Sequence, residues 1–511
     1  MKKTLLSIFL IALGLTINAQ TIYVNINATG ANNGTSWGNA YLSLRTALLN
    51  ASTNSTIWVA SGTYKPYVSS RSDYFNINIG GLKIYGGFAG NETSLTQRVF
   101  GSNETILSGD ASGNDSGTPT YTNSSYTDNC YNVMVVSGAG NDLTLDRLTI
   151  TGGFANGSSG TTTDGAGIYF GTNIARFTMQ NCKVSKNVSK QGGAISAPLM
   201  NPSVGDTLTI NACEFSENLS GFGAGIYASA DFSATTINIS NCLFTKNTAK
   251  NTSGTNGYAG SSIWIAGYAT GSTITTNIAN CTFAKNTDEG TYSGMANNNR
   301  STVVLSKAFS SSLHYTNISS CIFWDNTNPG GVAPSISKAN DNFFASTFLL
   351  LQSSDQNNFA GLVPSAGSAG NNNLDPLFVN SAGGNFQLSA SSPAINTGDN
   401  SKVVGSNDVF NNQRIFNSTV DRGAIEFGSS PTGINDLNTL NNITFYPNPA
   451  TSIIHIQTEG TILTMSIYNT LGDLVQQENV NTFSIEQLST GIYMLQVKTE
   501  KGTGTIRFVK E

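Results

Sequence analysis

Charge is scarce in this chain. Of its 511 residues only 11% are Asp, Glu, Lys or Arg, with 25 basic side chains against 30 acidic ones and a net charge of -5. The basic residues do not cluster. Grouped Lys and Arg are what hold a phosphate backbone or an anionic bilayer, so the composition argues against nucleic acid and against an acidic membrane surface as partners. Poverty in Lys, Glu and Arg also removes strong helix formers, while Asn, Ser, Thr and 53 glycines favour strands and turns. Long apolar runs are missing as well. Leu5–Ile17 spans thirteen residues, short of the roughly 20 that a membrane-crossing helix needs, and Phe343–Leu351 is shorter still. No transmembrane span is expected. Histidine occurs twice, at His314 and His455, and there is no CxxC, which leaves little to hold zinc.

The apolar run near the start has a different meaning. Lys2 and Lys3 precede it, and small Ala19 stands before Gln20. That is the layout of a secretory signal peptide, so residues 1–19 are expected to be removed and the mature chain to be exported.

What the chain does contain is a repeat. "FTMQNCKVSKN", "LTINACEFSEN", "NISNCLFTKN", "TNIANCTFAKN" and "TNISSCIFWDN" align on Cys182, Cys213, Cys242, Cys281 and Cys321, which lie 31, 29, 39 and 40 residues apart. Three residues before each cysteine stands Met179, Ile210, Ile239, Ile278 or Ile318. Two after it comes Val184, Phe215, Phe244, Phe283 or Phe323, and five after it Asn187, Asn218, Asn247, Asn286 or Asn326. "LTLDRLTITGG" fits the same frame, with Leu148 and Gly153 in the cysteine and asparagine places.

Side chains on a strand alternate faces with period two. A three-residue step between inward groups therefore marks a corner, expected at Ser240–Asn241 and Asn280, with a second corner at the constant Asn. A further block, "GAGIY", "GGAIS", "GAGIY" and "GSSIW", adds one Ile per repeat (Ile168, Ile195, Ile226, Ile263), giving three short strands per repeat. Strands this short bury their faces only by stacking repeat on repeat. The expected fold is all-β: a parallel β-helix whose coils lie about 4.8 Å apart, so that Cys, Phe and Asn each form a ladder. A β-propeller is the alternative, but repeat spacing that drifts from 29 to 40 fits a solenoid better. Leu44, Ala47, Leu48 and Ala51 recur at helical spacing within Trp37–Ala51, which is expected to be an amphipathic helix capping the first coil.

With these motifs in hand the chain resembles known groups. "YVNINATGANNGTSWGNAYLSLRTALLNA", "WVASGTYKP" and "IYGGFAGNETSLTQRV" resemble the opening coils of secreted bacterial right-handed β-helix proteins of the pectin-lyase-like superfamily. "FSEN", "FTKN", "FAKN" and "GGAI" are similar to repeats of polymorphic outer-membrane adhesins. Asp375–Phe427, with "DPLFVNSAGGNFQLSASSPAINTGDN" and "DRGAIEF", resembles the closing region called the choice-of-anchor Q domain. "FYPNPA" (Phe445–Ala450) with "STGIYMLQV" (Ser489–Val497) resembles the C-terminal sorting domain of type IX secretion cargo, which implies recognition of residues 442–511 by that machinery. From its short alternating strands alone this tail reads as a small β-sandwich. The expected organisation is a signal peptide at 1–19, a cap and first coils at 20–105, repeats at 106–374, closing coils at 375–427, a linker at 428–441 and the sorting domain at 442–511.

Candidate chemistry is sparse. The five ladder cysteines would hold their Cβ vectors parallel, poor geometry for disulfides, so buried unpaired thiols are expected; Cys130 stands outside the ladder. Lys186, Glu217, Lys246, Lys285 and Asp325 are expected to form an outer stripe, read as a solvated charge ladder in preference to acid/base groups in a groove. Asp110, Asn114 and Asp115, with Ser112 and nearby Asp128, offer oxygens at close spacing in a Gly-rich loop, and calcium is the one cofactor they would take. Tyr169, Tyr227 and Trp264 follow inward isoleucines, so alternation turns them outward, as a strip against which sugar rings could lie or as ordinary surface aromatics. Arg414 with Asp421 or Glu426 reads as a structural salt bridge of the last coil or as a ligand clamp.

The enzymes that the β-helix resemblance brings in are polysaccharide lyases and hydrolases. A lyase needs a base and cations at the developing enolate, a hydrolase two flanking carboxylates. No Asp-Asp pair occurs and His314 has no evident partner. Three functions stay open: a non-catalytic adhesin or glycan-binding surface protein, which is the leading reading; a polysaccharide lyase or glycoside hydrolase whose site lies in loops such as Thr248–Ala259; and a purely structural surface component.

Overall fold

The computed structural model describes residues 21–429 and 444–511, apart from 139–140, 172–173, 201–206, 231–233, 251–258, 268–270, 272, 290–299, 308–312, 340–346, 361, 459–460, 470–473 and 500–501. The expected signal peptide, nearly all of the expected linker and most of the loop Thr248–Ala259 lie outside the described residues. Two compact units are present, the coils with the closing region and, separately, the C-terminal tail.

The first unit is a parallel β-helix. Among the described residues a ten-stranded sheet runs from Thr21–Val24 to Phe348–Leu351, a nine-stranded sheet from Gly62–Tyr64 to Ser354–Asp355 and an eight-stranded sheet from Phe75–Ile77 to Ile336–Ala339. A fourth sheet of six short strands starts at Val188–Gln191. The sequence suggested three strands per repeat; the fourth follows the constant Asn, where strands as short as Thr248–Ala249 show no alternation to read. One coil thus reads Ile174–Gln180, Lys183–Ser185, Val188–Gln191, Ile195–Met200.

Register makes the ladders. Phe215, Phe244, Phe283 and Phe323 pair coil to coil, with ring centroids 4.7, 4.8 and 4.6 Å apart and nearly parallel planes. Met179, Ile210, Ile239, Ile278 and Ile318 align in the ten-stranded sheet. All six cysteines are buried and unpaired. Each ladder thiol donates to backbone oxygens, as Cys242 Sγ does to Ser240 O at 3.0 Å. Burial pushes the Cys182, Cys213, Cys242 and Cys321 thiols up, which keeps them protonated.

Both corners are left-handed. Asn181, Ala212, Asn241, Asn280 and Ser320, each just before a ladder cysteine, have φ between 51° and 53°. At the second corner the left-handed residue is not the constant Asn but the charged residue before it: Lys186, Glu217, Lys246, Lys285 and Asp325 have φ of 54–57°. The constant Asn points inward. Asn187, Asn218, Asn247 and Asn286 each pass an amide hydrogen bond to the next Asn oxygen at 2.9–3.1 Å, down to Asn326.

The capping helix is shorter than its apolar spacing suggests, running only from Leu44 to Asn50 with Ser43 as N-cap. Gly38 and Asn39 sit in a turn, and the Trp37 ring instead joins Tyr23, Trp58 and Phe88 while its N–H donates to Glu92 O at 2.8 Å. Leu44, Ala47 and Leu48 bury against the first coil as expected. At the other end Phe359 closes the ring column edge-on, 6.0 Å from Phe323.

The second unit is a small β-sandwich: an antiparallel three-stranded sheet holding Ile453–Gln457 faces a four-stranded one holding Ile462–Tyr468 and Gly491–Thr499. Ile454, Ile456, Met465, Ile467, Leu495 and Phe508 form its core.

Candidate functional site

The closing region decides where a ligand could go. Residues 375–427 do not simply complete the last coil; they run back along the outer face of the nine-stranded sheet. Arg422 donates to Ser353 O at 3.0 Å, Gly423 N–H to Ser320 O at 2.7 Å, Ala424 N–H to Thr282 Oγ1 at 2.9 Å, and Asn241 Nδ2 to Val404 O at 2.7 Å. Leu243 and Ala284 are buried beneath Phe386, Val409, Ala424 and Ile425. Earlier coils keep the same face open.

Two adjoining depressions occupy that open stretch, of about 360 Å³ and about 440 Å³, and both are lined by Glu104, Thr149, Lys183 and Glu214. Phe100 and Phe410 wall the first. Ser185, Ser216 and Thr245 floor the second, while Lys186, Glu217, Lys246 and Phe386 also line it. The strands explain the floor: in Lys183–Val184–Ser185 and Glu214–Phe215–Ser216 the middle residue fills the core, so the flanking side chains face out, in register. Lys186, Glu217 and Lys246 project from the corners because a left-handed residue there turns its side chain away from the coil.

The two carboxylates shared by both depressions, Glu104 and Glu214, are engaged. Glu214 lies 3.4 Å from Lys183 Nζ and accepts from Ser216 Oγ at 2.9 Å, and Glu104 accepts from Thr149 Oγ1 at 2.8 Å. Arg147 donates to Arg98 O at 2.8 Å and lies over Phe100, but its buried Nε has no hydrogen-bond partner. Burial, then the neighbouring Arg98 charge, hold the Arg147 guanidinium below its usual pKa, against the pull of Asp146.

The aromatic strip takes a different form from the one expected. Tyr227 and Trp264 do point away from the core, but each is only 6% exposed, packed with Val304 and with Phe222 at 4.6 Å from the Trp264 ring. Alternation gives side of sheet, not exposure. Tyr169, half-buried, pairs through Ser196 rather than a ring, so no continuous platform forms.

Asp110 is placed as an organiser of its loop: its carboxylate accepts from the backbone N–H groups of Gly113, Asn114 and Asp115 at 2.5, 3.2 and 3.1 Å. Asn114 is exposed. Among the described residues no three His, Cys, Asp or Glu side chains surround a common point. Arg414 is fully buried within the closing region, 3.5 Å from Glu426 and bonded to the carbonyls of Asp421 and Gly423. His314 is buried inside the coil, in register with Ile274. Thus Arg147, Lys183, Glu104 and Glu214, none of them singled out from sequence, form the open site. The in-register Lys-x-Ser and Glu-x-Ser triplets were the available signal; Phe410, more than 190 residues from Glu214, had none.

Residues 444–511 match the family described as secretion system C-terminal sorting domain. Such a tail implies recognition by the type IX secretion machinery and export to the cell surface or beyond. None of the curated proteins matches the chain. Similar solved structures include the pectate lyase Pel9A, at 13% identity and TM-score 0.36, covering 80% of this chain and 96% of that one. Escherichia coli ybhC follows at 14% and 0.28, covering 60% and 73%. The pectin methylesterase of Aspergillus niger gives 13% and 0.25, covering 65% and 90%. The class of fold rests on the strand pairing itself.

Proposed function

We propose that this is a non-catalytic, adhesin-like surface protein that holds an extended polysaccharide in the groove across Glu104, Thr149, Lys183 and Glu214. The observation that carries the reading is the groove itself: ammonium, carboxylate and hydroxyl groups repeat from coil to coil, beside the half-buried rings of Phe100 and Phe410. Such a strip offers a polyhydroxylated chain hydrogen bonds at every step. Engagement of Glu104 and Glu214 by neighbours argues against their acting as a free acid and base. Residues 1–19 act as the export leader, and the sorting domain delivers the coils to the surface.

A glycan array probed with the mature chain tests this. Binding that falls roughly tenfold in each of Lys183→Ala and Arg147→Ala supports it; absence of any glycan binding refutes it and leaves a structural surface component. A lyase is the second reading, favoured by one observation, the Arg147 guanidinium and Lys183 ammonium lining one depression, since a lyase needs cations at the developing enolate. New absorbance from unsaturated ends in uronic-acid polysaccharides would establish it.

A further inference from the structure

The chain leaves the nine-stranded sheet after Ser108 and rejoins the coil at Cys130, whose N–H donates to Gly109 O at 2.8 Å, just before Met134–Val136 enters the eight-stranded sheet. The excursion between them carries three carboxylates, Asp110, Asp115 and Asp128, and among the described residues no Lys or Arg forms an ion pair with any of them. Lys65 and Arg71 approach, but bond to the carbonyls of Ala111 and Asn129. Asp110 spends its oxygens on its own loop.

Asn129 adds an independent observation. It is fully buried, and its Nδ2 donates to Asp115 Oδ2 at 2.8 Å and to Gly152 O at 2.7 Å. Those two bonds fix which end of the carboxamide is nitrogen. Its Oδ1 is buried and has no hydrogen-bond partner, and the same is true of Asp115 Oδ1 and Asp128 Oδ1. Three buried oxygens that can only accept, two of them on carboxylates, lack any donor in one short excursion. Leaving such groups unpaired costs about 1–3 kcal/mol each. The Asp115 and Asn129 side chains already touch, at 2.8 Å, and a cation beside them is the kind of group that such oxygens accept.

We propose that this loop binds a hard divalent cation, calcium, through Asp115, Asp128 and the carboxamide oxygen of Asn129, which pins the excursion 109–130 onto the coils. An all-oxygen set without His or Cys suits calcium rather than zinc. With two carboxylates and water completing the shell, the affinity belongs to the weak range of extracellular modules. The electrostatics agree: burial, then the charges of Asp110 and Asp128, push the Asp115 carboxyl up to about 6, against the lowering effect of the Asn129 hydrogen bond and Lys186. A bound cation would reverse that. The site differs from the Asp110, Asn114 and Asp115 set that spacing alone suggested, and it is independent of the groove reading.

The test uses the full chain stripped with a chelator. Terbium luminescence, sensitised by buried Tyr126 beside the cluster, should appear and be displaced by calcium with a midpoint of roughly 0.1–1 mM. Asp128→Asn and Asp115→Asn should each weaken calcium at least roughly tenfold, while Asp128→Asn melts in chelator within about 2 °C of the unaltered chain, because removing a charge relieves repulsion. Terbium emission that calcium fails to displace, or displacement unchanged in both variants, overturns the proposal.

Discussion

Replacing Asn247 by alanine removes the middle of the asparagine ladder. Its Oδ1 accepts from Asn218 N at 3.2 Å and from Asn218 Nδ2 at 3.0 Å, and its Nδ2 donates to Phe215 O at 2.8 Å and Asn286 Oδ1 at 3.0 Å. Four bonds at about 1 kcal/mol each, net of water, set a cost of roughly 4 kcal/mol. The site is fully buried, so solvent does not replace them freely. Asn326, at the ladder's end, makes three such bonds, to Asn286 N, Asn286 Nδ2 and Phe283 O. Its alanine variant should therefore cost roughly 3 kcal/mol. Urea denaturation gives both values, and hydrogen exchange should show the Asn218 amide losing protection only in Asn247→Ala. A cost below about 1 kcal/mol for Asn247→Ala, or an unchanged Asn218 amide, would mean that the ladder does not hold the coils together.

Phe244→Ala should destabilise by about 3–5 kcal/mol in the same assay, because the ring stacks 4.7 Å from Phe215 and 4.8 Å from Phe283. Lys246, at φ 54°, should tolerate glycine with a change near zero, since lost left-handed strain offsets added chain entropy, whereas Lys246→Val should cost about 1–2 kcal/mol. Burial pushes the Glu426 carboxyl up to about 7, against the lowering pull of Arg414. A raised folded value favours the protonated state, so this contribution is fully present below about 4.5 and is lost as pH rises through about 7. The urea midpoint should fall over that window, and Glu426→Gln should flatten it.

How much of this was legible depended on distance along the chain. The cysteine blocks carried the register outright, because a three-residue step between inward side chains has few physical meanings. Tyr227 and Trp264 show the limit of such reasoning: period two assigns them to the outside of the coil, and packing by Phe222 and Val304 then buries them. Lys246 shows another. Asparagine is the residue expected at a left-handed corner, yet here Asn247 is retained for its buried carboxamide and the charged neighbour takes the strained φ. The groove was least legible, since its walls come from a segment that folds back over the sheet, linking Asn241 to Val404 across 163 positions. No local pattern encodes that return.

Arg176, Thr207, Thr236, Thr275 and Tyr315 occupy one column of the ten-stranded sheet, coil upon coil. Four steps of about 4.8 Å put Arg176 and Tyr315 about 19 Å apart although 139 positions separate them in sequence. Both side chains reach solvent, while the native thiols are buried and resist labelling. Spin labels on Arg176→Cys and Tyr315→Cys, read by pulsed electron–electron resonance, should give one narrow distance distribution centred near 19 Å plus the label arms. A distance half as long again, or a broad distribution, would contradict the stacked register on which the groove, the ladders and the cation site all depend.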